Sequence, residues 1–239
     1  MMIYNKEIKP RFKKIVDEVN LILLSSNNIQ CFPFSITKVI KEKTGIVCRN
    51  YEKAESYGVD ISAFGSEDAI IQNFRGRFII FFNDAPYIMN ERKKFSLGHE
   101  FGHYMMNHDL NNKSDYSLYE VEANFFAAQL LMPEQVINEL RRRGMQITQE
   151  HLQRWFGVSK SAAKKRIETL RKVDYTHRTD EEKEMDNYIV SKFQDFINKI
   201  APMPNSFIAY DTYDEEKMQN ERDHWYQSII KSHDINYVI

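Results

Sequence analysis

The chain has 239 residues, a formal net charge of −1 and 42% hydrophobic residues, an ordinary balance for one or two globular domains with a core. A net charge so close to zero excludes a global field that would recruit nucleic acid or a membrane surface. No stretch reaches the roughly 20 apolar residues of a membrane-spanning helix, and the charged N-terminus lacks the apolar region of an export signal. We therefore expect a cytoplasmic protein without a membrane partner, whose two cysteines, Cys31 and Cys48, are reduced and buried.

Short elements are predicted before residue 90. Hydrophobic spacing and turn residues place them, in chain order, as a helix over 8–24, a helix over 33–43 that Gly45 ends, a strand at 46–48, a loop over 54–68, and a hairpin of strands 69–72 and 77–82. The second hairpin strand is apolar on both faces, so we expect it to be deeply buried.

The remainder of the chain to residue 200 has helical periodicity. The predicted helices are 91–107 with Asn90 as its cap, 117–131 ended by Pro133, a short helix through Arg143, two helices within 147–171, and 180–200 before Pro202.

Residues 147–171 have the pattern of a helix-turn-helix, with a tight turn at Gly157 and Ser159 capping the second helix. Basic side chains follow, Lys160, Lys164 and Lys165 among them. Such a helix could contact DNA in the major groove or bind a protein partner. The competing interpretation is that the apolar residues form a packed core and the lysines a solvated face, so DNA is a possible but not a favoured partner.

His99-Glu100-Phe101-Gly102-His103 has the pattern H-E-x-x-H within the helix predicted over 91–107. Histidines four apart on a helix lie on one face, one turn from each other. Both can then bind one Zn²⁺, and Glu100 between them can act as the general base. The alternative is a surface helix that carries two unrelated histidines, so the motif needs a third ligand to become a site.

Gly98 and Gly102 also lie one turn apart on this helix. Glycine costs about 1 kcal/mol in a helix interior, so two of them need a reason. We expect another backbone or the metal site to approach the helix closely at these positions.

His108 and Asp109, just beyond the motif, could supply the third ligand. A ligand there requires a sharp turn after His103, usually through glycine, and position 106 is Met. We therefore expect the helix to continue, which places His108 about 140° around the helix from His103 and directs it away.

The helix over 117–131 supplies two further candidates, Glu120 and Glu122. Glu120 shares a face with Asn124, and Ala127 continues that face, which could pack beside the glycines of the motif helix. Glu122 is rotated about 200° from Glu120, onto a side that we expect to be wetter. Glu120 is the favoured ligand and Glu122 the less favoured one, and Asn124 is placed to orient a ligating histidine.

Two blocks of the sequence resemble the ImmA/IrrE family of metallo-endopeptidases. The first block runs from Phe95 to His103, and the second reads Glu120-x-x-Ala123-Asn124-x-Phe126-Ala127-Ala128-x-Leu130-Leu131-Met132-Pro133. Both stand in the family's order and at suitable spacing, and the resemblance covers roughly residues 34–173.

The resemblance implies a gluzincin-type site, with one Zn²⁺ per chain bound by His99, His103 and Glu120 and with Glu100 as general base. It implies a small α+β fold, a mostly helical zincin-like domain with a short antiparallel or mixed sheet. It also implies an intracellular protease that cleaves a helix-turn-helix repressor and so relieves repression of stress or mobile-element genes. The alternative is a DNA-binding or sensor regulator whose metal site cleaves little.

The predicted chain then has four parts, namely an N-terminal helix (1–33), the zincin-like domain (34–145), the helix-turn-helix-like segment (146–173) and a helical C-terminal extension without an assigned role (174–239). The strand over 77–82 could pair with an extended substrate along its edge. The candidate donors to the oxyanion are Tyr87, Tyr104 and His108.

Overall fold

The computed structural model describes residues 9–64, 68–74, 76–109, 114–173 and 177–203. The helices are α1 (Phe12–Ser25), α2 (Ile36–Thr44), α3 (Tyr51–Ser56), α4 (Asn90–Met105), α5 (Tyr116–Leu131), α6 (Glu134–Arg142), α7 (Gln149–Phe156), α8 (Lys160–Leu170), α9 (Asp180–Lys192) and α10 (Gln194–Ile200). The strands are β1 (Val47–Asn50), β2 (Ala69–Phe74) and β3 (Arg77–Phe82). Elements α1 to α9 belong to one compact unit that ends at residue 197, and the described residues 198–203 belong to a second unit. Among the described helices, none combines the length and the apolar character that crossing a membrane requires.

The three strands form one mixed sheet in the order β1-β3-β2, which together with the helices confirms the predicted α+β class. β3 lies in the centre, parallel to β1 and antiparallel to β2. Its residues Ile80 and Phe81 are fully buried, as predicted for this strand, whereas Phe78 is exposed.

The central position of β3 corrects the prediction that this strand offers an edge to a substrate. Residues 79–82 pair with β1 on one side and with β2 on the other, so their backbone groups are already used within the sheet. β2 is an edge strand, because it pairs only with β3 in the sheet. Its edge faces α4, since the Ile71 amide donates to Glu100 on that helix.

Several helices begin at residues that differ from the prediction. The second half of α3 lies in the segment 54–68 that was predicted as loop, and Asn50 begins this helix by accepting a hydrogen bond from the Lys53 amide at 3.0 Å. The predicted cap by Asn90 is wrong, because Asn90 is already the first residue of α4 and its N-cap is Met89. α1 begins at Phe12, and residues 9–11 are not helical. The predicted start at residue 8 lies outside the described residues.

The helix-turn-helix-like segment is formed by α7 and α8, and the predicted cap is confirmed: the Ser159 hydroxyl accepts from the Ala162 amide at 3.2 Å. Lys160, Lys164 and Lys165 are exposed. Arg166 on the same helix is buried and donates to the Met132 carbonyl oxygen at 3.0 Å. This basic residue therefore fixes α8 against the end of α5 instead of facing solvent.

Both cysteines are free thiols, as expected of reduced residues. Cys48 is half-buried, and burial raises the pKa of its thiol to about 12. Cys31 is exposed, so the expectation that both are buried is wrong for that residue.

The glycines of α4 mark its closest approach to α5. A Cβ atom built on Gly102 would lie 3.0 Å from the Phe126 Cβ, and one built on Gly98 would lie 3.3 Å from the Ala127 Cβ. The backbones of the two helices therefore come close together because these positions carry no side chain, which confirms the expected close approach. This packing brings the motif helix directly against the helix that carries Glu120.

The Gly102→Ala substitution tests this packing. We expect the free energy of unfolding to fall by about 1–3 kcal/mol, because the added methyl group overpacks the contact with Phe126, although alanine gains about 1 kcal/mol of intrinsic helix propensity. Urea unfolding of the full chain measures the change. Gly98→Ala, whose methyl group has more room, should lose less, and a Gly102→Ala variant at least as stable as the native protein would contradict the account.

Candidate metal centre

Two helices bring three potential ligand atoms together. His99 and His103 lie on α4 with their Nε2 atoms 2.9 Å apart, and Glu120 on α5 places one carboxylate oxygen 3.4 Å from His99 Nε2 and the other 3.3 Å from His103 Nε2. The cluster that could hold a metal ion in the described residues consists of these three side chains, without His108 or Asp109.

These separations fit one bound ion. Two ligand atoms at about 2.05 Å from a tetrahedral zinc lie roughly 3.3 Å from each other, close to the distances observed. The His103 side chain is 3% exposed and that of Glu120 is 32% exposed. The cluster is therefore open to solvent on the side of Glu120, where a water molecule or a substrate can enter.

Asn124 fixes the orientation of His99. Its Oδ1 lies 3.2 Å from His99 Nδ1, while its Nδ2 donates to the backbone oxygen of Glu120 at 2.7 Å. Because this second bond directs the Asn124 oxygen towards the ring, the neutral form of His99 carries its proton on Nδ1 and leaves the Nε2 lone pair for a metal ion.

Glu120 is ionised in this arrangement. In the metal-free protein, the hydrogen bond that a doubly protonated His99 donates from Nε2 holds the pKa of the carboxyl well below its ordinary value, and Tyr116 lowers it further. When His99 is neutral, Nε2 offers only its lone pair. A carboxylate and two imidazole lone pairs so close together repel one another unless a cation lies between them. The chemistry of the donor set therefore fits a divalent metal ion.

Glu100 is buried beside the ligands, on the same helix, and is 8% exposed. One of its carboxylate oxygens accepts a hydrogen bond from the backbone amide of Ile71 on β2, at 2.8 Å. Burial raises the pKa of Glu100 to about 7, against the opposing effects of His99 and of the Ile71 amide. This carboxyl can therefore accept and release a proton near neutral pH.

The prediction that His108 points away is wrong. α4 ends at Met105 because Asn107 adopts a left-handed conformation, with φ of 52°, and the His108 amide then donates to the His103 carbonyl oxygen at 3.0 Å. This is the Schellman arrangement at a helix end, with asparagine at the position that glycine usually takes. The turn folds His108 back, so that its Nδ1 lies 2.9 Å from His103 Nδ1.

Glu122 is also placed differently from the prediction, which expected a wetter side of α5. Its side chain is fully buried. Burial alone would raise the pKa of Glu122, but hydrogen bonds from Arg11 and His108 outweigh burial and hold the pKa at about 2. Glu122 lies behind the ligands and contacts His108.

The three predicted oxyanion donors lie in different surroundings. Tyr87 is 79% exposed in the loop before α4, Tyr104 packs edge-to-face against Phe78 at 5.2 Å, and His108 is buried behind His103. The sequence did not single out Tyr116, an exposed residue in the first turn of α5 that lowers the pKa of Glu120. Only its position four residues before Glu120 could have indicated it.

The Glu100→Gln substitution tests the environment of the buried carboxyl in the metal-free protein. Because the folded-state pKa of about 7 lies above the ordinary 4.5, the stabilising contribution of Glu100 is fully present below the ordinary value and is lost as the pH rises through 7. Glutamine carries no charge and can still accept the hydrogen bond from the Ile71 amide. We therefore expect Glu100→Gln to be more stable than the native protein above neutral pH, with a free energy of unfolding up to about 3 kcal/mol higher. Urea unfolding with a chelator across the pH range measures this, and a difference independent of pH would contradict it.

Comparison with known families agrees with this geometry. The family model described as the IrrE N-terminal-like domain, of the M78 peptidases, matches residues 54–168, a span that contains Glu100 and the three potential ligands. No curated protein matches the chain. The family match confirms the resemblance found in the two sequence blocks. Residues 54–168 are therefore identified as a domain of the IrrE N-terminal-like kind, that of the M78 metallopeptidases.

Proposed function

We propose that the protein is a zinc-dependent endopeptidase, acting in the cytoplasm, that hydrolyses a peptide bond in a regulatory protein. The observation that supports it is the convergence of His99, His103 and Glu120 at the spacing of a single tetrahedral ion. A zinc ion bound by these three residues would supply a Lewis acid that polarises the scissile carbonyl and lowers the pKa of water to about 7.

Glu100 supplies the proton transfers. Its carboxylate takes a proton from the attacking water and later passes it to the leaving amine. Burial favours the protonated carboxyl that forms after the first of these transfers. The Ile71 amide holds the carboxylate in place through one of its oxygens, which leaves the other oxygen free for the proton.

The edge of β2 is the surface along which we propose that an extended substrate binds. Ile71 directs its amide to Glu100 and not to β3. In an antiparallel pair the backbone groups of alternate residues point to the same side, so those of Ala69 and Asn73 also face away from β3. A peptide that pairs with this edge would bring its backbone past Glu100.

We propose a helix-turn-helix repressor as the substrate, so that cleavage relieves repression of stress or mobile-element genes. The match of residues 54–168 to the IrrE N-terminal-like domain supports this class of substrate. The packing of α8 against α5 through Arg166 supports a role for the helix-turn-helix-like segment within the protease or in binding the repressor. The alternative, a DNA-binding sensor that cleaves little, draws support from the exposed Lys160, Lys164 and Lys165, and a DNA affinity that falls steeply with salt would favour it.

Co-expression with the product of a neighbouring repressor gene tests the proposed reaction. We expect cleavage by the native protein and none by Glu100→Gln, because glutamine cannot accept the proton from water. The variant should still retain zinc, since its three ligands are unchanged. Glu91→Gln, at the other end of the same helix, is the matched control and should cleave normally. Full cleavage by Glu100→Gln would contradict the mechanism.

Tyr116 is our candidate donor to the oxyanion, because it lies close enough to Glu120, a proposed metal ligand, to lower the pKa of that carboxyl. We expect Tyr116→Phe to lower kcat for repressor cleavage by about 100-fold, the usual cost of losing one such donor, with little change in KM. Tyr87→Phe and Tyr104→Phe serve as comparison variants and should remain near native activity. Native kcat in Tyr116→Phe, or a loss confined to Tyr104→Phe, would show that Tyr116 is not the donor.

A further inference from the structure

We infer that Arg11, Glu122 and His108 form a buried hydrogen-bond relay that positions His103 for the metal ion. This inference rests on the proposed metal site and adds to it three positioning residues. Arg11 lies outside the span that the family model matches, residues 54–168, so the N-terminal segment takes part in building the metal centre.

The relay is continuous in space. The Arg11 side chain donates to Glu122 through Nη2 at 2.6 Å and through Nε at 3.1 Å, and the Arg11 backbone amide donates to the same carboxylate at 2.6 Å. Glu122 Oε2 lies 2.9 Å from His108 Nε2. His108 Nδ1 in turn lies 2.9 Å from His103 Nδ1.

The direction of each hydrogen bond follows from the carboxylate. An ionised carboxylate only accepts, so His108 must donate to Glu122 from Nε2. A neutral His108 then has an unprotonated Nδ1, which can only accept, and His103 must donate to it from Nδ1. The remaining nitrogen of His103, Nε2, is left with its lone pair directed at His99 and Glu120, as metal binding requires.

Packing holds the relay in one arrangement. The side chains of His108 and Glu122 are both fully buried, and the His108 ring stacks on Tyr119 of α5 with centroids 4.5 Å apart. Arg11 Nη2 also donates to the Met106 carbonyl oxygen at 3.2 Å, at the end of α4. The arginine thereby ties the turn that carries His108 to the carboxylate that His108 contacts.

Each member of the relay depends on the next. Without an acceptor at His108 Nδ1, the His103 ring can place its proton on Nε2, and that form cannot bind a metal ion. Without Arg11, the Glu122 carboxylate would be buried beside the site with no positive partner in the relay, which is costly. We expect both losses to appear as weaker metal binding, because groups that orient a ligand typically change metal affinity by about 10–100-fold.

Two substitutions of His108 separate the two contacts of its ring. Asparagine places an amide oxygen where His108 Nδ1 stands, so His108→Asn keeps an acceptor for His103 and gives up the contact with Glu122. Glutamine reaches the position of Nε2, so His108→Gln keeps the contact with Glu122 and gives up the acceptor for His103. A merely structural role for His108 would make the two variants similar.

The experiment measures the Zn²⁺ dissociation constant of the full chain by competition with a chromophoric chelator, with the folded state of each metal-free variant checked by circular dichroism. We expect His108→Gln and Arg11→Ala to bind zinc about 10–100-fold more weakly than the native protein, and His108→Asn to stay within a few-fold of it. The matched control is Arg178→Ala, which removes the arginine partner of another buried carboxylate, Glu134. It should lower stability and leave zinc affinity unchanged.

Three results would be decisive. Native zinc affinity in both His108→Gln and Arg11→Ala would overturn the relay while leaving the proposed metal site intact. Equal weakening in His108→Asn and His108→Gln would overturn the role of His108 as the acceptor for His103. Failure of the native chain to bind zinc at all would overturn the proposed function, and the relay with it.

Discussion

The close packing of α4 against α5 is the constraint on which the metal centre depends. The three potential ligands come from both helices, and their donor atoms can lie 2.9–3.4 Å apart only if the helix backbones approach closely. Gly98 and Gly102 allow that approach, since a Cβ at either position would press against Ala127 or Phe126. Each glycine lowers helix stability by about 1 kcal/mol. In return, the close packing places a carboxylate opposite two histidines.

Hydrogen-bond direction is the second constraint, and it acts on the two histidines through different partners. Asn124 on α5 accepts from His99, whereas the buried pair of His108 and Glu122 orients His103. Both arrangements leave Nε2 unprotonated and directed at the same point. Glu100 is held by a backbone amide of β2 instead, so the orientation of these side chains depends on α5, on the turn after α4 and on β2.

Helical spacing in the sequence was sufficient to predict which side chains share a helix face. His99, Glu100, His103 and Glu120 come together where a period of 3.6 residues places them. Long-range contacts and unusual backbone conformations could not be predicted in this way. The left-handed conformation of Asn107 ends the helix where its spacing indicated continuation, and the partner that buries Glu122 lies 111 residues away in sequence. The central position of β3 likewise depends on a parallel pairing with β1 that local patterns do not reveal.

X-ray absorption at the zinc edge, on the full chain loaded with zinc, measures directly whether His99, His103 and Glu120 bind the ion. We expect one zinc ion per chain with four nitrogen or oxygen ligands at about 2.0 Å, two of them imidazoles and one a carboxylate. A third imidazole would contradict it, because it would move His108 from the relay onto the metal ion. Sulfur ligation would contradict it as well, because it would place the ion away from His99, His103 and Glu120.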